Sequence, residues 1–326
     1  MAGGVVKTFR KQYFERLAEY FAITCGLSLG DAQLLARAIR DNIGVDITIS
    51  GADEFRAALV NWLPAHQASN GFQPISSETV GKAHDFAAVA ALDSTDKATF
   101  QAMEAFIHNL NTMNSRAGAQ VPFSSVNYGT DTSPEARMVI RNLLKATVAG
   151  LGSGEPSIFP VQIFKVKEGV NYNPGDPNYD LFQQAIETSA KRLFPNFSFL
   201  DAPFNLQYYK PGDYNSEIAY MGCRTRVMGN VYDPSREVTC SRGNLSFTSV
   251  NLPRLAIESK GDMAVFYESL NEATALVVRQ LLHRFKIQSA KLARNYPFLM
   301  GQGIWLDSDR LEPDDRIAEV LKHGTL

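Results

Sequence analysis

Residues 158–166 read IFPVQIFKV, a nearly continuous apolar run. A run of this length is typical of a strand whose two faces are both covered by other parts of the protein. Helical spacing follows over residues 178–193, and Pro195 comes directly after it, where a helix has to stop. A strand followed by a helix is the repeating unit of parallel sheets, so we predict an α/β architecture.

The same alternation continues on both sides of this unit. Residues 100–113 carry an apolar stripe at helical spacing. Residues 133–135 (SPE) then supply a cap, a first-turn proline and an early carboxylate for a helix that should end at Gly150. Farther along, we predict a strand over residues 245–252 and a long helix that begins at Asp262.

Residues 1–95 predict a mainly helical region. The expected elements are three helices and one short strand, over residues 9–21, 31–39, 53–62 and 45–50 respectively. Ser28 or Asp31 should cap the second helix, and Pro64 should stop the third because proline lacks the helical donor. Residues 68–79 are polar with glycine and proline, which indicates a linker.

The composition is that of an ordinary globular protein. The chain has 326 residues, of which 45% are hydrophobic and 20% charged, so it can bury a large core. Its formal net charge is −2 with both signs interspersed, which disfavours a nucleic-acid partner. The sequence contains neither a long apolar run nor the apolar core of a signal peptide, so we expect a cytoplasmic protein without a membrane partner.

Cysteine and histidine usage points to a lone thiol at most. Cys25, Cys223 and Cys240 are too few and too widely spaced for a disulfide framework or a four-thiolate zinc site. The five histidines lack the spacing of a zinc ligand pair, so we assign none of them to a metal. Cys223 differs from Cys25 because it lies in the polar segment 220–226, YMGCRTR. Nearby arginines lower the pKa of a thiol, but these residues alone leave a reactive and an inert thiol both open.

Six segments of the sequence form an ordered series. They read AFIHNLNTMNSRAGAQVPFSSVNYGTDTS (105–133), IFPVQIFKVKEGVNYNPGDPNYDLF (158–182), SAKRLFPNF (189–197), MGCRTRV (221–227), RGNLSFTSVNLPRLAIE (242–258) and FLMGQGIWLD (298–307). Together they resemble the anaerobic (class III) ribonucleoside-triphosphate reductases. A match in family order over roughly two-thirds of the chain is far more specific than any single short motif.

The resemblance implies a fold for residues 96–326. These residues are expected to form part of a ten-stranded α/β barrel of the glycyl radical enzyme type, with a finger loop inside it. The barrel is expected to be incomplete. Residues 1–95 match neither the family's upstream segment nor its effector-binding cone, so this mainly helical region stays unassigned.

The resemblance also implies roles for three residues. Cys223 in MGCR matches the cysteine that becomes a thiyl radical in the family, and Asn244 in RGN matches an active-site asparagine. Thr225 matches a small hydroxyl residue beside the cysteine. Turn formation for Asn244 and ordinary solvation for Thr225 stay open as alternatives. Many relatives have a glycine where this chain has Cys240 and Ser241, which leaves the local backbone geometry open.

The reaction implied is the reduction of ribonucleoside triphosphates to deoxyribonucleoside triphosphates, which begins with hydrogen abstraction at C3′. The family uses a glycyl radical, formate or thiols as reductant, a structural zinc in a carboxy-terminal domain and ATP or deoxynucleotide effectors. An S-adenosylmethionine-dependent radical enzyme activates it. The glycyl motif and the zinc site do not occur in these residues, so we expect a truncated, split or fused chain that is inactive alone. A separate polypeptide would supply the glycyl radical, and an oligomer is expected.

Two other hypotheses compete with that of a reductase. Formate-lyase-like glycyl radical enzymes share the barrel but use two adjacent cysteines, whereas Arg224 follows Cys223 here. This difference favours the reductase. A non-catalytic protein that keeps the barrel segment for nucleotide binding or subunit interaction also stays open.

Overall fold

Helices make up most of the chain, and a small parallel sheet lies among them. The computed structural model describes residues 1–66, 74–114, 121–213, 216–222, 225–226, 229–236, 238 and 240–326. It divides into two units, Met1–Asp201 and Ala202–Leu326. The helices are α1 (Ala2–Thr24), α2 (Leu29–Asn42), α3 (Ala52–His66), α4 (Ser77–Thr112), α5 (Pro134–Ala149), α6 (Tyr179–Arg192), α7 (Pro203–Leu206), α8 (Leu252–Glu258), α9 (Met263–Ser289) and α10 (Ala318–Leu321). The strands are β1 (Ser125–Tyr128), β2 (Val161–Val166), β3 (Asn196–Phe199), β4 (Tyr220–Met221) and β5 (Thr225–Arg226).

The first unit begins with a helical core built from α1 to α4. Four large side chains recur every fourth residue along α1 and are buried, namely Phe9, Tyr13, Leu17 and Phe21. This spacing places them on one face, which packs against α2 and α4. Ser28 caps α2 as predicted, because its hydroxyl accepts a 3.1 Å hydrogen bond from the backbone N–H of Asp31.

Two predictions for this region are wrong. Residues 45–50 form no strand, because Ile47 is buried among the helices, where the backbone has no neighbouring strand to pair with in the described structure. Helix α3 also continues past Pro64 to His66. The buried Leu59 and Leu63 hold this last turn against the core, although Pro64 has no backbone N–H to donate. Residues 95 and 96, where the sequence predicted a domain boundary, lie within helix α4, and the predicted division into domains stays a prediction.

The parallel sheet confirms the α/β prediction. β2 lies in the centre and pairs in parallel with β1 on one side and β3 on the other. Phe164 of β2 is fully buried and packs with Leu181 and Ala185 of α6 and with Ile140 and Leu144 of α5. Among the described residues this sheet has three strands, so the chain has a mixed α/β fold with a small parallel sheet.

Buried amides close the end of the sheet beyond β1 and β2. The Asn171 side chain donates to the carbonyl oxygens of Gly129 (3.0 Å) and Lys165 (2.9 Å). The Asn178 side chain donates to the carbonyls of Gly129 (3.0 Å) and Asp131 (2.9 Å). Gly129 has a φ of +126°, and a Cβ atom there would lie 2.7 Å from the Lys165 carbonyl oxygen. Only glycine fits this position without displacing β2.

The second unit contains the long helix α9 and a small apolar core. Helix α9 begins directly after Asp262, close to the predicted start, and Asp262 caps it with a carboxylate that accepts from the backbone N–H groups of Ala264 (2.8 Å) and Val265 (3.2 Å). The strand predicted over residues 245–252 is wrong, because the segment is irregular and α8 begins at Leu252. The apolar core consists of Ala293, Met300, Trp305, Ile317, Val320 and Leu321.

Candidate functional site

A short hairpin flanks the predicted radical cysteine. β4 and β5 are antiparallel, with Met221 opposite Thr225 and Tyr220 opposite Arg226. Gly222 has a φ of +62°, a left-handed conformation that glycine adopts without strain. Cys223 itself lies outside the described residues, and so does the side chain of Thr225. The role predicted for each of them stays a prediction.

Arg226 anchors the hairpin at its base. Its guanidinium donates to the Phe204 carbonyl (2.9 Å) and to the Asn205 side-chain oxygen (3.1 Å). The same group lies 5.3 Å from the centroid of the Phe204 ring, which adds a cation–π contact. Asn205 is buried, so the hairpin is fixed to α7 by contacts that solvent screens only partly.

Asn244 presents a free amide to its surroundings. Its backbone lies in a parallel bridge to Thr325, formed by hydrogen bonds from Leu245 N to Thr325 O (2.8 Å) and from Thr325 N to Gly243 O (3.0 Å). The side chain is exposed and makes no hydrogen bond within the part of the chain that the structure describes. An amide held on a paired backbone with free donors and acceptors is suited to hydrogen-bonding a ligand.

Ser241 shows how this chain accommodates its departure from glycine. Its φ is +57°, in the left-handed region where a side chain is strained. Its carbonyl nevertheless accepts a 2.7 Å hydrogen bond from the backbone of Leu306. The backbone geometry left open by the sequence is therefore the geometry that glycine prefers, held here by a non-glycine residue.

A polar cluster that the sequence did not indicate lies beside this segment. The Asp307 carboxylate accepts two hydrogen bonds from Arg236, at 2.9 and 2.5 Å, and Arg236 also contacts Asp233 at 2.7 Å. The buried His323 ring lies 3.2 Å from Asp307 through Nε2 and 2.9 Å from the Asn230 amide through Nδ1. The hydrogen bonds from Arg236 lower the pKa of Asp307 from 3.8 to about 2. We call these five residues the Asp307 cluster.

The other two cysteines behave differently from a reactive thiol. Cys25 is half-buried and packs against the helical core, and burial raises its pKa. A raised pKa lowers the fraction of thiolate, as is typical of an unreactive, partly buried cysteine. Cys240 is exposed.

An open cavity of about 830 Å³ lies between α1 and α2 in the first unit. Its lining is strongly basic, with six cationic side chains and two carboxylates, Glu15 and Glu19. The cationic residues are Lys7, Arg10, Lys11, Arg16, Arg37 and Arg40. Among the described residues Lys7 and Arg37 form no direct ion pair, although the charge of Arg37 helps to lower the pKa of Asp41.

Metal ligands do not converge in the described structure. Within those residues, no three His, Cys, Asp or Glu side chains are arranged to hold a metal ion. In the same part of the chain, no helix combines the length and the hydropathy needed to cross a membrane.

Comparison with known proteins identifies the family. The family model described as anaerobic ribonucleoside-triphosphate reductase matches residues 14–326, which include both the MGCRTRV and the RGN segments. The chain belongs to this reductase family. The match also extends over most of residues 1–95, for which the sequence alone indicated no relationship.

Several curated reductases are similar to this chain. The anaerobic ribonucleoside-triphosphate reductase of Salmonella typhimurium is 32% identical over 235 residues, which are 72% of this chain and 32% of the relative. The Escherichia coli enzyme is 32% identical over 231 residues, 71% of this chain and 31% of the relative. The enzyme of enterobacteria phage T4 is 33% identical over 239 residues, which are 72% of this chain and 38% of the relative. The chain thus spans about a third of the length of these relatives.

Proposed function

We propose that this chain carries the substrate-reducing centre of an anaerobic ribonucleoside-triphosphate reductase. The observation that carries the proposal is the family match over residues 14–326, which includes the segments of Cys223 and Asn244. The chemistry of the segments agrees with it. A hairpin anchored by Arg226 flanks Cys223, and Asn244 offers an exposed amide on a paired backbone in the same unit.

In this proposal Cys223 abstracts the hydrogen from C3′ of the ribose as a thiyl radical. The new S–H bond is close in strength to the broken C–H bond, so the step is reversible and the hydrogen can be returned to C3′. Asn244 hydrogen-bonds an oxygen of the ribose or of formate, and Thr225 supplies a small hydroxyl beside the cysteine. The three-stranded sheet of the first unit would be part of the family's ten-stranded barrel.

The proposal requires further components. A glycyl radical has to reach Cys223 from another polypeptide or segment, and a radical S-adenosylmethionine enzyme has to generate it. Ribonucleoside triphosphate is the substrate, and formate or a thiol is the reductant. We also expect the chain to form an oligomer or to assemble with the polypeptide that carries the glycyl radical.

The experiment combines the full chain, under anoxia, with the glycyl-radical polypeptide and activase of a relative. CTP and formate are supplied, and dCTP is measured. We expect dCTP only when this chain is present, and we expect Asn244→Ala to lower its rate of formation by about 100-fold. Asn251→Ala is the matched control, because Asn251 caps α8 in the same unit. Asn244→Ala with the wild-type rate would contradict the proposed role.

One observation favours the second candidate, a nucleotide-binding protein without catalysis. The basic cavity between α1 and α2 has the charge and the size for the phosphates of a nucleoside triphosphate. We expect ATP to bind the intact chain, and the double variant Lys7→Gln/Arg37→Gln to weaken binding about tenfold. Lys82→Gln/Lys97→Gln removes two exposed cations of α4 as a control. Equal binding by all three proteins would exclude the cavity as the site.

A further inference from the structure

Arg242 is the arginine of the RGN segment, two residues before Asn244, and its guanidinium is directed into the protein. Its Nε donates to the carbonyl of His323 (2.9 Å), and its two Nη atoms donate to the carbonyls of Val238 (3.2 Å) and Gly229 (3.0 Å). These carbonyls lie on three separate segments of the second unit. Within the described structure Arg242 contacts no carboxylate, and the three hydrogen bonds that its guanidinium makes there all go to backbone carbonyls.

His323, whose carbonyl accepts from Arg242, belongs to the same short segment as Thr325, which pairs with Asn244. Thr325 exchanges backbone hydrogen bonds with Gly243 and Leu245, one residue to either side of Asn244. The backbone pairing joins the segment of Arg242 to the segment of His323 and Thr325. Arg242 links the same two segments through its side chain, and it also links them to the segments of Gly229 and Val238. We call this set of contacts the Arg242 clamp.

The side chain of His323 has its own contacts, which hold the segment whose carbonyl accepts from Arg242. The Asn230 side-chain oxygen accepts from Asp233 N (3.1 Å), so its amide nitrogen faces His323 Nδ1. Nδ1 therefore accepts from Asn230, and Nε2 lies 3.2 Å from both the Asp307 carboxylate and the Arg236 guanidinium. Arg236 donates to the same carboxylate, which fixes the Asp307 side chain in place.

Packing leaves little freedom on either side of Asn244. A Cβ atom at Gly243 would lie 3.3 Å from the Trp305 ring, and one at Gly324 would lie 2.6 Å from Leu245. Both glycines thus allow the two segments to approach closely. The backbone of Asn244 is held by two strand-like hydrogen bonds, two tight contacts and the clamp, whereas its side chain stays exposed.

We propose that Arg242 and His323 are positioning residues that fix the backbone of Asn244 towards the reacting ribose, and that Arg242 does not bind substrate phosphates. The proposal rests on the function proposed for Asn244. It assigns the arginine of RGN a role different from the one that its charge alone would indicate, because the guanidinium donates to three backbone carbonyls and contacts no carboxylate in the described structure.

The test compares Arg242→Met with Arg242→Lys and with Arg279→Met, which removes an exposed arginine of α9. Hydrogen exchange of the intact chain is followed in peptides that contain Leu245 and Thr325. In the reconstituted assembly, kcat and KM for CTP are measured. We expect Arg242→Met to speed exchange in both peptides and to lower kcat, each by about tenfold, with KM changed less than about twofold. Arg242→Lys should show smaller changes, and Arg279→Met none.

A rise in KM with unchanged exchange would mean that Arg242 binds phosphate, and it would overturn the proposal. Faster exchange with unchanged kcat would overturn the positioning role. If Arg242→Met fails to fold, Gly324→Ala loosens the same pairing from the other segment and should give the same lower kcat with unchanged KM. Asn244→Ala separates the two proposals. If it keeps wild-type turnover, the function assigned to Asn244 fails, while the exchange rates still decide whether the clamp exists.

Discussion

Ser241 has a strained backbone next to the candidate site. A left-handed φ costs a residue with a side chain roughly 1–2 kcal/mol, and glycine avoids this cost but has a more flexible unfolded state. We therefore expect Ser241→Gly to raise the free energy of unfolding by up to about 1 kcal/mol. Chemical denaturation measures it. Ser249→Gly, at an exposed position with an ordinary φ, should be neutral or destabilising, and the opposite order would show that Ser241 is not strained.

Asp307 makes the stability of the second unit depend on pH in the acidic range. Its pKa is lowered from 3.8 to about 2, chiefly by hydrogen bonds from Arg236. The folded protein binds a proton at Asp307 less tightly than the unfolded chain does. The stabilisation from the charged carboxylate is therefore complete above pH 3.8 and is lost as the pH falls through about 2.

The variant Asp307→Asn tests this dependence. At neutral pH it should lower the free energy of unfolding by about 2–3 kcal/mol, because it removes hydrogen bonds to a charged group. The difference from the wild type should shrink as the pH falls from 4 towards about 2. Thermal unfolding across this range measures it. Asp309→Asn, at an exposed carboxylate, is the control, and a difference that stays constant with pH would refute the assignment.

The sequence could indicate some site residues but not others. Cys223 and Asn244 stand in short segments whose resemblance to the family is visible in a single line of sequence. The contacts of Arg236 with Asp307 and His323 join residues 71 and 87 positions apart. Nothing in local spacing predicts such pairs, because they depend on how the chain returns to the same place.

At the scale of elements, a substitution at Gly129 tests how closely the end of β1 packs against β2. Gly129→Ala combines a positive φ with a 2.7 Å clash against the Lys165 carbonyl, so we expect a loss of about 3 kcal/mol or more. Gly175→Ala is a matched control with a φ of +96° and open space around the new Cβ, and it should cost only about 1 kcal/mol. Equal losses in denaturation experiments would show that the clash is relieved by a shift of the backbone.

Helix starts were predictable because their signals are local. Ser28, Ser133 and Asp262 each cap a helix with a side chain that accepts from a backbone N–H two or three residues later. Strands depend on partners elsewhere in the chain. Residues 45–50 and 245–252 have strand-like patterns but lie where helices or single bridges surround them, so both predictions failed.

At the scale of the whole molecule, the family is established, and the catalytic assembly is a proposal. The match to the family model begins at residue 14, yet the chain spans only about a third of its curated relatives. The ten-stranded barrel and the glycyl radical would therefore come from more than the residues described above. We expect these 326 residues alone to form no dCTP, even with the activase, because they hold no glycyl-radical motif.

The most direct measurement is dCTP formation by the reconstituted assembly containing Cys223→Ser. A serine O–H bond is too strong to relay the radical, so we expect no product from this variant, with CTP binding close to that of the wild type. Cys240→Ser changes an exposed thiol in the same unit and should keep the wild-type rate. Formation of dCTP by Cys223→Ser at the wild-type rate would contradict the account.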